Sequence, residues 1–516
     1  MTATAIDRFA DIVGAEHVLT EDAELLEFRD PYQPLAWDDY TPAAVVQPAT
    51  VEQVRDIVRV AAEHGVPLWT NSQARNNGYG GAGVRVKGAV TVNLRRMNRI
   101  LEIDDELCYA RVEPGVSFLQ LYEALRDGGH PLMLSVPDIG WGSVIGNSLD
   151  HGVTYLPLGQ DFMAPCGMEV VLADGDVLRT GMGGVPGGRA WNVYKRGLGP
   201  TLDQLFMQSN FGIVTKMGLW LAPLPEAIMP LSIVAPREEQ LGDVIDTLRR
   251  LMLDGTLQGV PGCFNATAIA CMVTRRSDWY DGDDAMPDDV VDRMARELGI
   301  GRWNIRAGLW GDGDAIDLAF VKVRRAFEAI PGVEVRGTKH TPDEVAALPS
   351  GNDQVMSGVA NLDLVQMAAW DGGETGGHMG FSPVVPLVGR EVVALHELLK
   401  PLVEGAGLDY STDVMAIGAR SAIMVVGNSF DFSDEEATRR VYENTKNLVR
   451  EAGKHGYGEY RAHLDFMDLA AEQYSFNDHA YLRFVQRIKD AVDPAGILSP
   501  GKQGIWPMTL RAEDRR

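Results

Sequence analysis

Apolar and polar positions alternate along this chain in two rhythms. Val51, Val54, Val58 and Ala61 recur at helical spacing. Thr50 opens that helix as an N-cap, Gln53 follows where a capping box asks, and Gly65 stops it. A second amphipathic helix is predicted over 118–126, carrying Leu119, Tyr122 and Leu125. Strands are predicted over 44–46, 66–69, 89–94, 107–113, 168–172, 176–179 and 212–221, with Asp174-Gly175 turning between the fifth and sixth. The texture changes at Pro223-Leu224-Pro225. Strands are then expected over 231–235, 268–273, 305–310, 333–336 and 422–426. Helices are expected over 238–253, 315–329, 390–405 and 434–453. This is the pattern of an α+β chain, and 516 residues call for two domains or more.

The stretch 70–84, TNSQARNNGYGGAGV, breaks both rhythms. Gly78, Gly80 and Gly83 satisfy G-x-G-x-x-G. The dinucleotide reading of that motif needs a helix directly after it. Here an alternating run follows, so the loop joins strand to strand. It is either a glycine-rich surface turn or a nest of backbone N–H groups that holds phosphate. A second small-residue tract, PDIGWGSVIGNSLDHG over 137–152, reads as an irregular functional loop. The acidic piece over 281–289 reads as a solvated loop, and the tail over 493–502 as a run of turns.

Composition narrows the partners. A net charge of −25 argues against nucleic acid and anionic membrane surfaces. No apolar run approaches the roughly 20 residues of a membrane span. The N-terminus shows no signal-peptide pattern. Cys108, Cys166, Cys263 and Cys271 form no metal, haem or disulfide pattern, which fits a reducing, cytoplasmic setting. No metalloprotease, Walker or nucleophile-elbow motif occurs.

Three places could carry chemistry. His378 lies in GGETGGHMGFSP, either a plain loop histidine or one that flanking glycines open to a large planar group. Tyr460-Arg461 pairs a hydroxyl with a permanent cation, which suits an anionic oxygen, or is a surface pair. Asp138, among few charges, is a candidate base or a turn aspartate.

The motifs FRDPY (28–32), NNGYGG (76–81), EPGV (113–116), PDIGWGSVIGN (137–147), LRTGMG (178–183), QSNFGIVTKMG (208–218), GGHMGFSP (376–383), GYGEYRAH (456–463) and DPAGILSPGKQGIWP (493–507) occur in that order. With them the chain resembles the vanillyl-alcohol oxidase and para-cresol methylhydroxylase flavoenzymes. The resemblance implies an FAD domain built from 1–225 and 457–516, a cap domain over 226–456, and a homodimer or higher homo-oligomer. It implies FAD held by Ser72, Arg75, Asn76, Asn77, Gly78, Gly80, Gly81, Gly142, Ser143, Asn147, Gly152, Gly212, Ile213, Val214 and Lys502, with a covalent link through His378. It makes Tyr79, Tyr460 and Arg461 the phenolate-binding trio and Asp138 the acid/base near flavin N5. The implied reaction is oxidation of a para-substituted phenol through a quinone methide, with O₂ as acceptor. The alternative is a dehydrogenase or methylhydroxylase that passes electrons to a cytochrome or other acceptor. The histidine at 378, where the cytochrome-linked relative uses tyrosine, favours the oxidase. Ala74, Thr154 and Leu364 stand where relatives carry glycine, glycine and glutamate.

Overall fold

The computed structural model describes residues 3–159 and 163–511; residues 1–2, 160–162 and 512–516, which the expected domain ranges include, lie outside the described residues. Helix Val51–His64 forms as its caps dictate. Thr50 Oγ1 accepts from Gln53 N at 3.2 Å, and Gly65 closes the helix at φ 64°. The Gln53 side chain takes the Ala49 N–H at 2.7 Å, so the return half of the capping box falls one residue early. The helix buries Val54, Ile57, Val58 and Ala61 beneath the parallel strands Ala44–Val46, Val90–Asn93 and Leu68–Asn71.

Leu68–Asn71 and Val90–Asn93 are adjacent, and no helix lies between them. The glycine loop therefore does join strand to strand. The C-terminal turns come back beside it: Leu68 N donates to Ile497 O and Ser499 N to Leu68 O, each at 2.7 Å. Fully buried Lys489 pins that return. Its ammonium donates to Asn210 O at 2.6 Å and Leu498 O at 2.7 Å, and pairs with Asp493 at 2.7 Å. A five-stranded antiparallel sheet, from Ile100–Asp104 to Val177–Arg179, completes this part.

The middle of the chain builds an eight-stranded antiparallel sheet. Its two faces go to different cores, as the period of a strand requires. Cys263, Ile305, Ala307, Val414, Ala416 and Val426 pack under helices Leu241–Leu253, Gly313–Phe327, Gly389–Glu404 and Glu435–Lys454. Phe264 and Met415 face the other way, into a core shared with Leu134, Val136, Tyr155 and Leu156. The site forms on that second face.

Several expectations need correction. Residues 268–273 are not a strand: Asn265 Oδ1 accepts from Ala268 N at 2.9 Å and starts helix Ala266–Ala270. The 137–152 tract is not irregular throughout, because Ser143 caps helix Val144–Leu149 through Gly146 N at 2.9 Å. The acidic run ends as the first turn of helix Asp288–Leu298, where carboxylates meet the positive end of the helix. His378 lies on strand Gly376–Phe381 and not in a loop. Among the described residues, no helix is long and apolar enough to cross a membrane.

Candidate active site

The glycine loop, the 137–152 tract, the strand starting at Ile213 and the C-terminal turns enclose one cleft. Ser72, Arg75, Asn76, Tyr79, Gly80, Gly81, Gly142, Ser143, Asn147, Gly212, Ile213, Val214, Arg461 and Lys502 all line it. Gly78, Gly80 and Gly81 turn the loop at φ 76°, 99° and 56°, values that side chains resist. Ala74 carries the same strain at φ 59°. Sealed polar groups of cleft-lining residues, Asn71 Nδ2, Ser209 Oγ and Asn210 Oδ1, have no partner among the described residues. Lys502 pairs with Asp150 at 3.0 Å. Burial opposes the Asp150 charge, but Lys502 and Arg461 outweigh it and hold that carboxyl below its usual range. A cleft with an ion-paired lysine, unpartnered polar groups and glycine walls fits a dinucleotide cofactor carrying a pyrophosphate.

Beside the cleft Tyr79 meets the neighbours Tyr460 and Arg461, and Tyr460 lines an adjoining cavity with Gly152 and Val153. The Arg461 guanidinium carbon lies 4.2 Å from the Tyr79 ring centroid, and Arg461 donates to Asn76 Oδ1. The Tyr79 hydroxyl lies 3.2 Å from Ser382 Oγ. Burial, with Tyr79 close by, pushes the Tyr460 phenol well above its ordinary range, so it stays a neutral donor. Burial opposes the Arg461 charge, yet its tyrosine and Asp150 neighbours hold its pKa above the usual arginine value.

Asp138 sits differently from the expected lone carboxylate. Arg306 grips both its oxygens, at 2.7 and 2.8 Å, and the Tyr155 hydroxyl donates to one of them. Arg306 is 5% exposed and lies 3.9 Å from the Tyr155 ring centroid. Asp138 is thus an oriented ion-pair partner, and no list of candidates drawn from the sequence held Arg306, Tyr155 or the nearby Asp413. A charged residue inside the apolar run IRAGLW was the available signal for Arg306.

Asn77, Gly78, Asp138, Gly152, His378 and Tyr460 do not line the cleft. Asn77 accepts from the Tyr32 hydroxyl at 2.7 Å, and Gly152 packs on the Asn147 amide. His378 touches the loop at Gly78, and its ring meets Tyr32 edge-on with centroids 5.9 Å apart. Burial pushes the imidazole down to about 4, so it is neutral with a free lone pair. Its Nδ1 is sealed and has no partner among the described residues. A Cβ at Gly78 would come 2.5 Å from His378 Nε2. Gly78→Ala is therefore expected to move the imidazole and cost about 1–2 kcal/mol for its left-handed backbone. Thermal melts would check the cost.

A dinucleotide cleft of this kind, in a chain that also builds a large antiparallel sheet, fits an FAD-linked oxidoreductase. Residues 42–181 match the FAD binding domain family, and residues 424–503 match the C-terminal domain of FAD linked oxidases. The chain is 36% identical over 512 residues to the 4-cresol dehydrogenase (hydroxylating) flavoprotein subunit of Pseudomonas putida, covering 97% of this chain and 95% of that one. Its structure is similar to that of 4-ethylphenol oxidase from Gulosibacter chungangensis in an isoeugenol complex, at TM-score 0.93 and 38% identity over 99% of this chain and 98% of that one. It is also similar to substrate-bound p-cresol methylhydroxylase, at TM-score 0.91 and 36% identity over 98% and 96% of the two chains. The chain belongs to the para-cresol methylhydroxylase and vanillyl-alcohol oxidase family of FAD-dependent oxidoreductases.

Proposed function

We propose that this protein is an oxidase of para-alkylphenols that returns electrons to O₂, with FAD held covalently through His378. The FAD domain would be 1–225 and 457–516, and the cap 226–456. The observation that carries this reading is the meeting of Tyr79, Tyr460 and Arg461 between the cleft and the cavity that Tyr460 lines. One guanidinium and two tyrosine hydroxyls suit the oxygen of a phenolate, whose pKa they would lower. An ionised phenol pushes charge across its ring and weakens the benzylic C–H. Bound FAD supplies the acceptor for the hydride that leaves that carbon. Asp138, fixed by Arg306 and Tyr155, would face the alkyl end and steer the proton that water addition or side-chain desaturation releases. Neutral His378, with its lone pair free, suits attachment to the cofactor.

The names of the relatives support a phenol as substrate and leave two acceptors open. The test is anaerobic addition of a para-alkylphenol followed by air. Bleaching of the flavin and fast recolouring are expected. Bleaching with slow recolouring would make the protein a dehydrogenase, and no bleaching would remove both enzyme readings. Wild-type protein should also keep its yellow colour in an acid pellet, and His378→Ala should lose it to the supernatant. A yellow mutant pellet would place the link elsewhere.

A further inference from the structure

The site-facing side of the eight-stranded sheet carries a second carboxyl. Asp413 lies opposite Phe264 across neighbouring strands, and Arg306 lies 4.8 Å from that same Phe264 ring. One oxygen of Asp413, Oδ1, is sealed and has no partner among the described residues. Arg306 spends its fork on Asp138 and a further N–H on Asn352 at 2.9 Å, which leaves its own Nε–H sealed and unpartnered. One cation thus stands on the same face as two carboxyls, and it binds only one of them.

We propose that Asp413 is a positioning residue for Asp138: protonated, it leaves the Arg306 fork on Asp138, and ionised, it competes for that guanidinium and loosens Asp138. The inference rests on the phenol-oxidase reading above. The charged or titratable groups facing Asp413 are Arg306, Asp138 and Tyr155; Cys263 feels its charge from the other face of the neighbouring strand. Burial raises Asp413 to about 8, Arg306 pulling it down and Asp138 pushing it up. Asp413 is therefore neutral at pH 7 and ionises as pH rises through about 8. A second buried anion then opposes arrival of the hydride's electron pair and frees Asp138 to swing.

The test is single-turnover flavin reduction by a para-alkylphenol in holoenzyme, from pH 7 to 9. With the ionised form inactive, the wild-type rate should fall about tenfold across that range, following the protonated fraction of a group with pKa about 8. Asp413→Asn, which mimics the neutral acid, should remove that fall whatever its absolute rate. An alkaline fall that persists in Asp413→Asn overturns the proposal. Infrared spectra of the Glu459→Gln holoenzyme give a second arm. Glu459 is also buried and raised to about 8, so its removal leaves Asp413 as the protonated carboxyl that titrates there. A carboxylic C=O band lost through that pH range supports the proposal, and its absence overturns it even if Asp413→Asn does not fold. If no phenol bleaches the flavin at any pH, the functional reading fails, while the infrared arm still decides the state of Asp413.

Discussion

Arg306→Met should lower the unfolding free energy by about 3–5 kcal/mol, the usual cost of removing one partner from a buried ion pair. Arg306 is 5% exposed, and the Asp138 side chain is 13% exposed. In the variant Asp138 keeps the Tyr155 hydroxyl but loses both guanidinium contacts. Methionine fills the volume between the Tyr155 and Phe264 rings, so a cavity adds little. The measurement is the urea midpoint of the variant, of Asp138→Asn, and of the double variant. The double variant should recover part of the loss, because no carboxylate is then left unpaired. A double variant whose loss equals the sum of the two single losses would mean that the pair is not coupled, and that Arg306 acts through packing alone.

The site was only half legible in the sequence, and the reason is physical. Helix Val51–His64 could be read because both ends are signed in local chemistry, Thr50 at one and Gly65 at the other. The run 268–273 could not, because a short apolar stretch has the same pattern in a buried strand and in a buried helix. The deciding feature was Asn265, which caps Ala266–Ala270 and sits outside the run. Strands Gly262–Asn265 and Ser411–Gly418 escaped notice as well. One is too short to show a period, and the other starts on the polar residues Ser411, Thr412 and Asp413. Those two strands carry Phe264 and Asp413, so missing them meant missing one wall.

The other end of the site shows the opposite case. Asn76 and Arg461 are 385 residues apart, and no local pattern pairs them. Motif resemblance named Tyr79, Tyr460 and Arg461 together, and the fold brings them into contact. The same route named Asp138 without Arg306, since a role carried over from a motif says nothing of the ion pair around it. Such long-range ion pairs are set by tertiary geometry, here by strand Trp303–Gly311, which brings Arg306 to the 137–152 tract.

Arg461→Ala should weaken phenolic competitive inhibitors about 10- to 150-fold, since a hydrogen bond to a charged group is worth about 1.5–3 kcal/mol. Arg461 is the cation of the trio; Tyr460 stays neutral because burial pushes its pKa far up, and a neutral phenol donates without carrying charge. The ionised ligand therefore depends on Arg461 for its counter-charge. Flavin reduction should slow alongside binding, because the same contact lowers the substrate's pKa. Para-methoxy ethers of the same size have no anion to lose and should bind with little change. The measurement is a pair of inhibition constants, phenol against methyl ether, in wild type and variant. Equal losses for both ligands would mean that the guanidinium, stacked 4.2 Å over Tyr79, holds the ring in place and stabilises no anion.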